Sequence, residues 1–142
     1  MHEDRLAIIQ NNFEEIWVNG NVDLFDLSID PDIVRHNPPF PDIHGLAAYK
    51  QYIKGIRSAM SNVEFKIEDI IFMQDLSSAR VTMTFTHTGM MHGLQIPATG
   101  RRVTLQMGAF SCWEGGKIIE EWAYIDYLGF LQQVGVIPTA TG

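Results

Sequence analysis

A carboxylate near the C-terminal end of the chain is the first candidate for chemistry. Asp126 shares one face of a predicted strand with Glu120, Trp122 and Tyr124. A carboxylate packed among aromatic rings loses solvation, which raises its pKa towards neutral pH. Such a group can take a proton from a carbon acid and return it to a new alkoxide. The alternative interpretation is that Asp126 caps a short C-terminal helix, because Asp is a preferred N-cap residue.

Three histidines are candidates for positioning a carbonyl group. His87 lies on the apolar face of a predicted strand, where it is either a hydrogen-bonded core residue or a pocket group that polarises a carbonyl. His92 follows five residues later and either reaches the mouth of a pocket or faces solvent. His36 precedes a Pro-rich loop, where it either lines a pocket or holds the loop with a hydrogen bond.

Other kinds of chemistry find little support in the sequence. The spacing of the histidines and Asp126 matches no zinc motif, so we expect no metal. Phosphate loops, dinucleotide fingerprints and nucleophile elbows do not occur, so we expect no cofactor. The lone Cys112 alternates with apolar residues, which indicates a small buried side chain rather than a nucleophile.

The elements that would position these residues change type halfway along the chain. Helical spacing predicts helices over residues 4–18, about 22–28 and about 45–60, with a brief extended piece at 33–37. Alternation then predicts strands over 63–74, 79–90, 101–113 and 117–126, with a bulge at Ile70 and Ile71 and a hairpin turn at 114–117. A short apolar tail follows at 127–136. We expect one domain over residues 1–142, of the α+β class: a strongly curved antiparallel sheet wrapped on three N-terminal helices into a cone-shaped barrel.

Composition excludes several classes of partner. The 142 residues carry a net charge of −7, which disfavours nucleic acid and anionic membrane surfaces. No apolar run approaches the ~20 residues that span a bilayer. A single cysteine favours a reducing, cytoplasmic setting. Charged residues make up only 19%, which argues for an apolar pocket together with an oligomer interface.

The second half of the chain carries a set of recognisable motifs. These are Thr88-Gly89, His92-Gly93, the run 96–103 (IPATGRRV), the run 115–122 (GGKIIEEW), Asp126 and the run 131–135 (LQQVG). They resemble the SnoaL-like polyketide cyclases of the nuclear transport factor 2-like superfamily. The first half fits more loosely through Trp17, residues 30–32, His36-Asn37 and Gly45. Ala98, Arg101 and Val134 depart from the family's usual Pro, Lys and Leu.

The resemblance implies a cone-shaped α+β barrel, found as a homodimer or homotetramer. It implies intramolecular aldol-type ring closure of an apolar carbonyl compound, a polyketide ester in the characterised cyclases, without metal or cofactor. Asp126 falls where those cyclases have their acid/base residue. Catalytic roles are therefore expected for Asp126 and His87. Substrate contacts are expected from His36, His92, Trp17, Trp122, Phe40, Tyr49, Phe85 and Met107.

Two other functions stay open. The first is a ketosteroid-isomerase-like or dehydratase-like proton shuttle, in which Tyr49 or Tyr124 donates to an enolate. The second is a non-catalytic module that binds a small ligand. An epoxide hydrolase is disfavoured because Arg80, taken as the only mid-strand Arg, faces away from His87. An open cone in which Asp126 and His87 converge would favour catalysis, and a sealed cone with Asp126 bonded to the backbone would favour a scaffold.

Overall fold

The computed structural model describes residues 2–91 and 93–139. Helix α1 spans His2–Asn11 and continues into a wider π-helical segment at Asn12–Val18. A 3-10 helix at Val22–Leu27 and helix α2 at Leu46–Arg57 follow. Helix α3 occupies Tyr127–Gln133 in the predicted apolar tail. The three N-terminal helical segments are therefore confirmed.

Six strands form one curved sheet that does not close into a complete barrel. They are β1 (Ile29–His36), β2 (Ile43–His44), β3 (Met60–Met73), β4 (Leu76–His87), β5 (Arg102–Glu114) and β6 (Lys117–Ile125). Their spatial order is β2-β1-β6-β5-β4-β3, in which β1 and β6 pair in parallel and the other neighbours pair antiparallel. The predicted α+β class and curved sheet are confirmed.

Two local predictions for the sheet need correction. Strand β1 begins at Ile29 rather than at residue 33, because Ile29 already pairs with Ile118 of β6; the register then shifts before the next pair, Val34 with Glu120. Strand β3 has two bulges, one at residues 62–63 and one at Glu68, rather than a bulge at residues 70–71. The second follows from the pairing of Ile67 with Val81 and of Asp69 with Arg80, which leaves Glu68 as an extra residue between those two pairs.

The core lies between the concave face of the sheet and the N-terminal helices. Strand β4 directs Val81, Phe85 and His87 into this core with no exposed surface, as its alternation predicts. The opposite, convex face of β4 carries the exposed Arg80. Within the described residues no helix combines the length and the apolar character needed to cross a membrane. Because the sheet curves around its own concave face, the inside of the cone is where a ligand would be enclosed.

Candidate active site inside the cone

Three adjoining cavities lie within the cone, and we name them the outer, middle and inner cavity by their order. The outer cavity measures about 310 Å³ and is lined mainly by apolar side chains. The middle cavity measures about 40 Å³ and shares Tyr52 and Tyr127 with the outer one. The inner cavity measures about 60 Å³ and shares Trp17, Arg35 and Met107 with the middle one. These shared walls place the cavities in series, with Arg35 between the middle cavity and the inner cavity.

The outer cavity has an apolar wall and one polar end. The apolar wall includes Phe40, Pro41, Ile43, Ile56, Met91 and Leu94. At the polar end, the buried amide of Asn37 donates from Nδ2 to Tyr52 Oη at 2.8 Å. Tyr127 Oη donates to Asn37 Oδ1 at 3.1 Å. Burial raises the pKa of Tyr127, so its phenol stays protonated at neutral pH. Tyr52 Oη accepts from Asn37, and a side-chain hydrogen bond also joins the phenols of Tyr52 and Tyr127, so the polar end presents hydroxyl groups that a ligand oxygen can engage by exchange.

An ion pair and a phenol form a buried polar cluster deeper in the cone. Arg35 and Glu121 face each other across the parallel pairing of β1 and β6, and Arg35 Nη1 donates to Glu121 Oε1. Tyr49 Oη, on α2, donates to the same carboxylate oxygen at 2.6 Å. The guanidinium carbon also lies 5.5 Å and 5.3 Å from the ring centres of Tyr49 and Tyr52. We call Arg35, Glu121 and Tyr49 the buried cluster.

Arg35 and Tyr49, the two titratable partners of the Glu121 carboxylate, both stay protonated in the buried cluster. Burial opposes the charge of Arg35, but the electrostatic attraction of Tyr49 and Glu121 outweighs it and raises the pKa of Arg35. Burial, followed by the charge of Glu121, raises the pKa of Tyr49. The guanidinium is therefore a permanent cation, and its Nε has no hydrogen-bond partner among the described residues.

Asp126 lies outside this interior. It begins α3, is exposed, and accepts a hydrogen bond from the backbone N of Gly129 through Oδ1 at 2.8 Å. The expectation of a carboxylate desolvated among aromatic rings is therefore wrong. The aromatic residues of β6 lie on its convex face, whereas the concave face carries Glu121 and Ala123, which line the inner cavity.

His87 is a core residue and not a wall of these cavities. Its side chain has no exposed surface, and Nδ1 hydrogen-bonds to Thr99 Oγ1 at 2.9 Å. Its ring packs edge-on against Phe130 at 5.6 Å. Burial lowers the pKa of His87, which keeps the ring neutral. The structure therefore does not bring His87 and Asp126 together in a cavity, and Nε2 of His87 has no partner among the described residues.

His36 and Trp122 meet on the convex face of the sheet. The two rings stack at 5.2 Å. His36 Nε2 lies 2.7 Å from Glu120, and Nδ1 lies 2.9 Å from Asp42 in the Pro-rich loop. The prediction that these two rings line a pocket is wrong, because odd-numbered positions of β1 and β6 face inward here. The alternative, that His36 holds its loop, agrees with these contacts.

The remaining predicted residues divide by location. Phe40 lines the outer cavity, Phe85 the middle cavity and Tyr49 the inner cavity. Trp17 and Met107 line both the middle and the inner cavity. Tyr124 is half exposed on the convex face, so it is not placed to donate to an enolate inside the cone. His92 lies outside the described residues. Whether any of these residues contacts substrate stays a prediction.

Sequence reasoning missed Arg35, Glu121, Asn37, Tyr52 and Tyr127. One signal was present, because Arg35 alternates with the apolar Ile33 and therefore shares its buried face. The premise that Arg80 is the only mid-strand Arg is also wrong, since Arg35 lies in β1. Among the described residues, the ion pair of Arg35 involves one carboxylate, that of Glu121.

Solved structures with the same fold come from several bacteria. A protein named as a SnoaL-like polyketide cyclase from Jannaschia sp. CCS1 is 15% identical, with a TM-score of 0.86 over 96% of this chain and 94% of that one. A protein named as a polyketide cyclase from Acidithiobacillus ferrooxidans is 25% identical, with a TM-score of 0.82 over 92% and 94%. AclR from Streptomyces galilaeus, named as a hydroxylase, is 22% identical, with a TM-score of 0.83 over 98% and 85%.

Sequence comparison agrees with the fold. No curated protein sequence matches the chain. The family model for the SnoaL-like polyketide cyclases, in contrast, matches residues 7–134, which is nearly the whole chain. The fold expected for that family, an α+β cone with N-terminal helices, is the fold described above. The chain belongs to the SnoaL-like polyketide cyclase family.

Proposed function

We propose that this protein is a cofactor-independent enzyme that closes a ring in an apolar carbonyl compound by an intramolecular aldol-type addition. One observation carries the proposal: the apolar outer cavity of about 310 Å³ ends in the hydroxyl and amide groups of Tyr52, Tyr127 and Asn37. An apolar chain fits the wall, and a carbonyl oxygen fits the polar end. Family membership supports an enzymatic role of the cyclase type.

In this proposal the reaction needs one proton removed and one returned. A base takes a proton from the carbon next to one carbonyl, and the resulting enolate carbon forms a bond to the carbon of a second carbonyl. The new alkoxide then takes a proton, so that no oxidant or reductant is consumed. The hydroxyl of Tyr52 donates to the oxygen on which negative charge develops, which lowers the barrier because the donor is already oriented by Asn37.

The base in this proposal is Asp126, as the family resemblance implies. Its neighbour Tyr127 lines the outer cavity, so Asp126 stands at the start of a helix that forms part of the wall. To act on a ligand, the carboxylate would leave the backbone N of Gly129 and turn towards the cavity. A helix cap of this kind exchanges with solvent at low cost, since its net contribution is about 1 kcal/mol.

The test is turnover of a set of linear poly-β-carbonyl esters, followed by product analysis. We expect a cyclised product, and we expect the variant Asp126→Asn to lower kcat by at least about a hundred-fold while it keeps the helix cap. The matched control is Asp69→Asn, which changes an exposed carboxylate on the convex face of β3. Full turnover in Asp126→Asn would remove Asp126 from the mechanism.

A second candidate is a binding module without catalysis. The observation that favours it is that no Asp or Glu lines the outer cavity among the described residues, while Asp126 is bonded to the backbone. Tight binding of ketones without any product from any carbonyl substrate would support this alternative. A homodimer or homotetramer and a cytoplasmic location stay predictions, for which sedimentation and cell fractionation are the direct measurements.

A further inference from the structure

The buried cluster holds a hydrogen-bond donor that has no acceptor among the described residues of the protein. Arg35 is only 4% exposed, and its Nε has no partner among the described residues. A buried donor left without an acceptor is destabilising, and more so when the group is charged. Since Arg35 lines both the inner and the middle cavity, an acceptor would have to enter through them.

Small side chains keep the inner cavity open beside Arg35. Ala79, Ala109 and Ala123 come from three neighbouring strands, β4, β5 and β6, and line this space. A larger residue at any of these positions would fill a volume of about 60 Å³. The space accepts the end of a ligand or a few water molecules, but not a ring system.

The charge balance of the cluster selects the kind of oxygen that fits. Glu121 already neutralises Arg35, and Tyr49 donates to the same carboxylate. An anionic ligand would add a second negative charge to a site that holds one cation and one anion, which is unfavourable where the surroundings are apolar. A neutral acceptor, such as a ketone oxygen, adds a hydrogen bond without adding a charge.

We propose that Arg35 Nε is the hydrogen-bond donor for a neutral carbonyl oxygen at the inner end of the ligand, whose apolar body occupies the outer and middle cavities. Glu121 and Tyr49 are positioning residues that hold the guanidinium and exclude carboxylates. This inference rests on the proposed function in assuming a carbonyl ligand in the cone. It adds a second site for a ligand oxygen, beyond the Tyr52 end of the outer cavity. It also names the chemical class of oxygen that this second site accepts.

Calorimetric titration at neutral pH with 2-decanone and with decanoate tests this selection. We expect the ketone to bind and decanoate to bind at least about ten-fold more weakly. Glu121→Gln, which keeps the shape of the side chain but removes the negative charge, should reverse the preference by strengthening decanoate binding. Thermal unfolding of each variant checks that it is folded.

Two further variants test the place of binding. Arg35→Lys keeps a cation for Glu121 but has no Nε, and Ala123→Leu fills the inner cavity without touching the buried cluster's charges. We expect each to weaken 2-decanone binding by about ten-fold or more. Ser78→Leu, a similar enlargement on the convex face of β4, should leave the binding unchanged.

The outcomes separate this inference from the proposed function. Unchanged ketone binding in both Arg35→Lys and Ala123→Leu would overturn the Arg35 site, even if the enzyme cyclises its substrates. An absence of ketone binding in the unmodified protein would overturn it as well. If binding depends on Arg35 but no carbonyl substrate is ever cyclised, the site stands and the proposed function fails. If Arg35→Lys does not fold, Ala123→Leu and Glu121→Gln still decide.

Discussion

The side-chain amide of Asn37 donates a hydrogen bond of 2.8 Å to the hydroxyl oxygen of Tyr52, at the polar end of the outer cavity. The amide oxygen of Asn37 meanwhile accepts from Tyr127 at 3.1 Å. Asn37 is 1% exposed, so both of these bonds are sheltered from water. The amide thereby fixes the orientation of two phenols, and leaves the Tyr52 proton directed to a partner other than Asn37.

Replacing Tyr52 by Phe should therefore reduce catalysis more than it reduces stability. We expect kcat/KM to fall by about 10²-fold, the usual effect of removing one oriented donor to a developing negative charge. The matched control is Tyr124→Phe, which removes the same hydroxyl from the convex face. Equal rates in the Tyr52→Phe and Tyr124→Phe variants would show that Tyr52 does not contact the reacting oxygen. Steady-state kinetics on the cyclised substrate is the measurement.

The cap on α3 predicts a graded effect at Asp126. Asp126→Ala removes the acceptor for the backbone N of Gly129 and should lower the free energy of unfolding by about 1 kcal/mol. Asp126→Asn and Asp126→Ser keep an N-cap oxygen and should stay close to the original stability. Urea unfolding of the three variants measures this series. Loss of stability in all three alike would mean that the charge, and not the cap, is what Asp126 contributes.

The residues show which parts of this architecture a sequence can predict. The alternation of β4 assigns Val81, Phe85 and His87 to the core because one of its faces is mainly apolar and the other mainly polar. The pattern of strand β6 predicts the wrong inward face, because its aromatic side chains lie on the convex face while its concave face carries Glu121. The inward orientation of Glu121 can be predicted only once Arg35, which is 86 positions away in the chain, is known to lie opposite it. That pairing depends on the parallel contact of β1 with β6, which no local pattern contains.

His36 predicts a loss of stability on the alkaline side. Its hydrogen bond with Glu120, followed by that with Asp42, raises its pKa above the ordinary value of 6.5. A histidine with a raised pKa contributes its full stabilisation below 6.5, and that contribution is lost as the pH rises through the folded-state pKa. We expect the free energy of unfolding to decline over that window in the unmodified protein and to decline less in His36→Gln. Urea titrations at pH values on both sides of 6.5 check the sign.

His87 predicts the opposite dependence on the acid side. Burial lowers its pKa below 6.5, so the unfolded chain takes up a proton before the folded protein does. The neutral ring of His87 stabilises the folded protein fully above pH 6.5, and this stabilisation is lost as the pH falls through the folded-state pKa. His87→Gln keeps a polar side chain that can reach Thr99, and should remove this acid-side decline. A decline of the same size in that variant would assign the acid dependence to other groups.

Arg35 and Glu121 predict a strongly non-additive pair of substitutions. Arg35→Met leaves Glu121 buried without its counter-ion, and should lower the free energy of unfolding by about 3–5 kcal/mol. Glu121→Leu leaves the buried guanidinium unpaired and should be similarly damaging. The double variant Arg35→Met/Glu121→Leu removes both charges and should recover most of the loss, because well-packed apolar residues replace a buried ion pair at little cost.

Urea unfolding of the two single variants and the double variant forms a complete thermodynamic cycle for this pair. The double variant also separates stability from function, since it should fold well yet bind 2-decanone poorly. The exposed pair Arg80 and Asp69 on the convex face is the matched control, and its cycle should give well under 1 kcal/mol of coupling. Additive losses at Arg35 and Glu121 would mean that water reaches the buried cluster and screens the two charges. In that case Arg35 Nε would be hydrated, and a ligand oxygen would gain little by replacing that water.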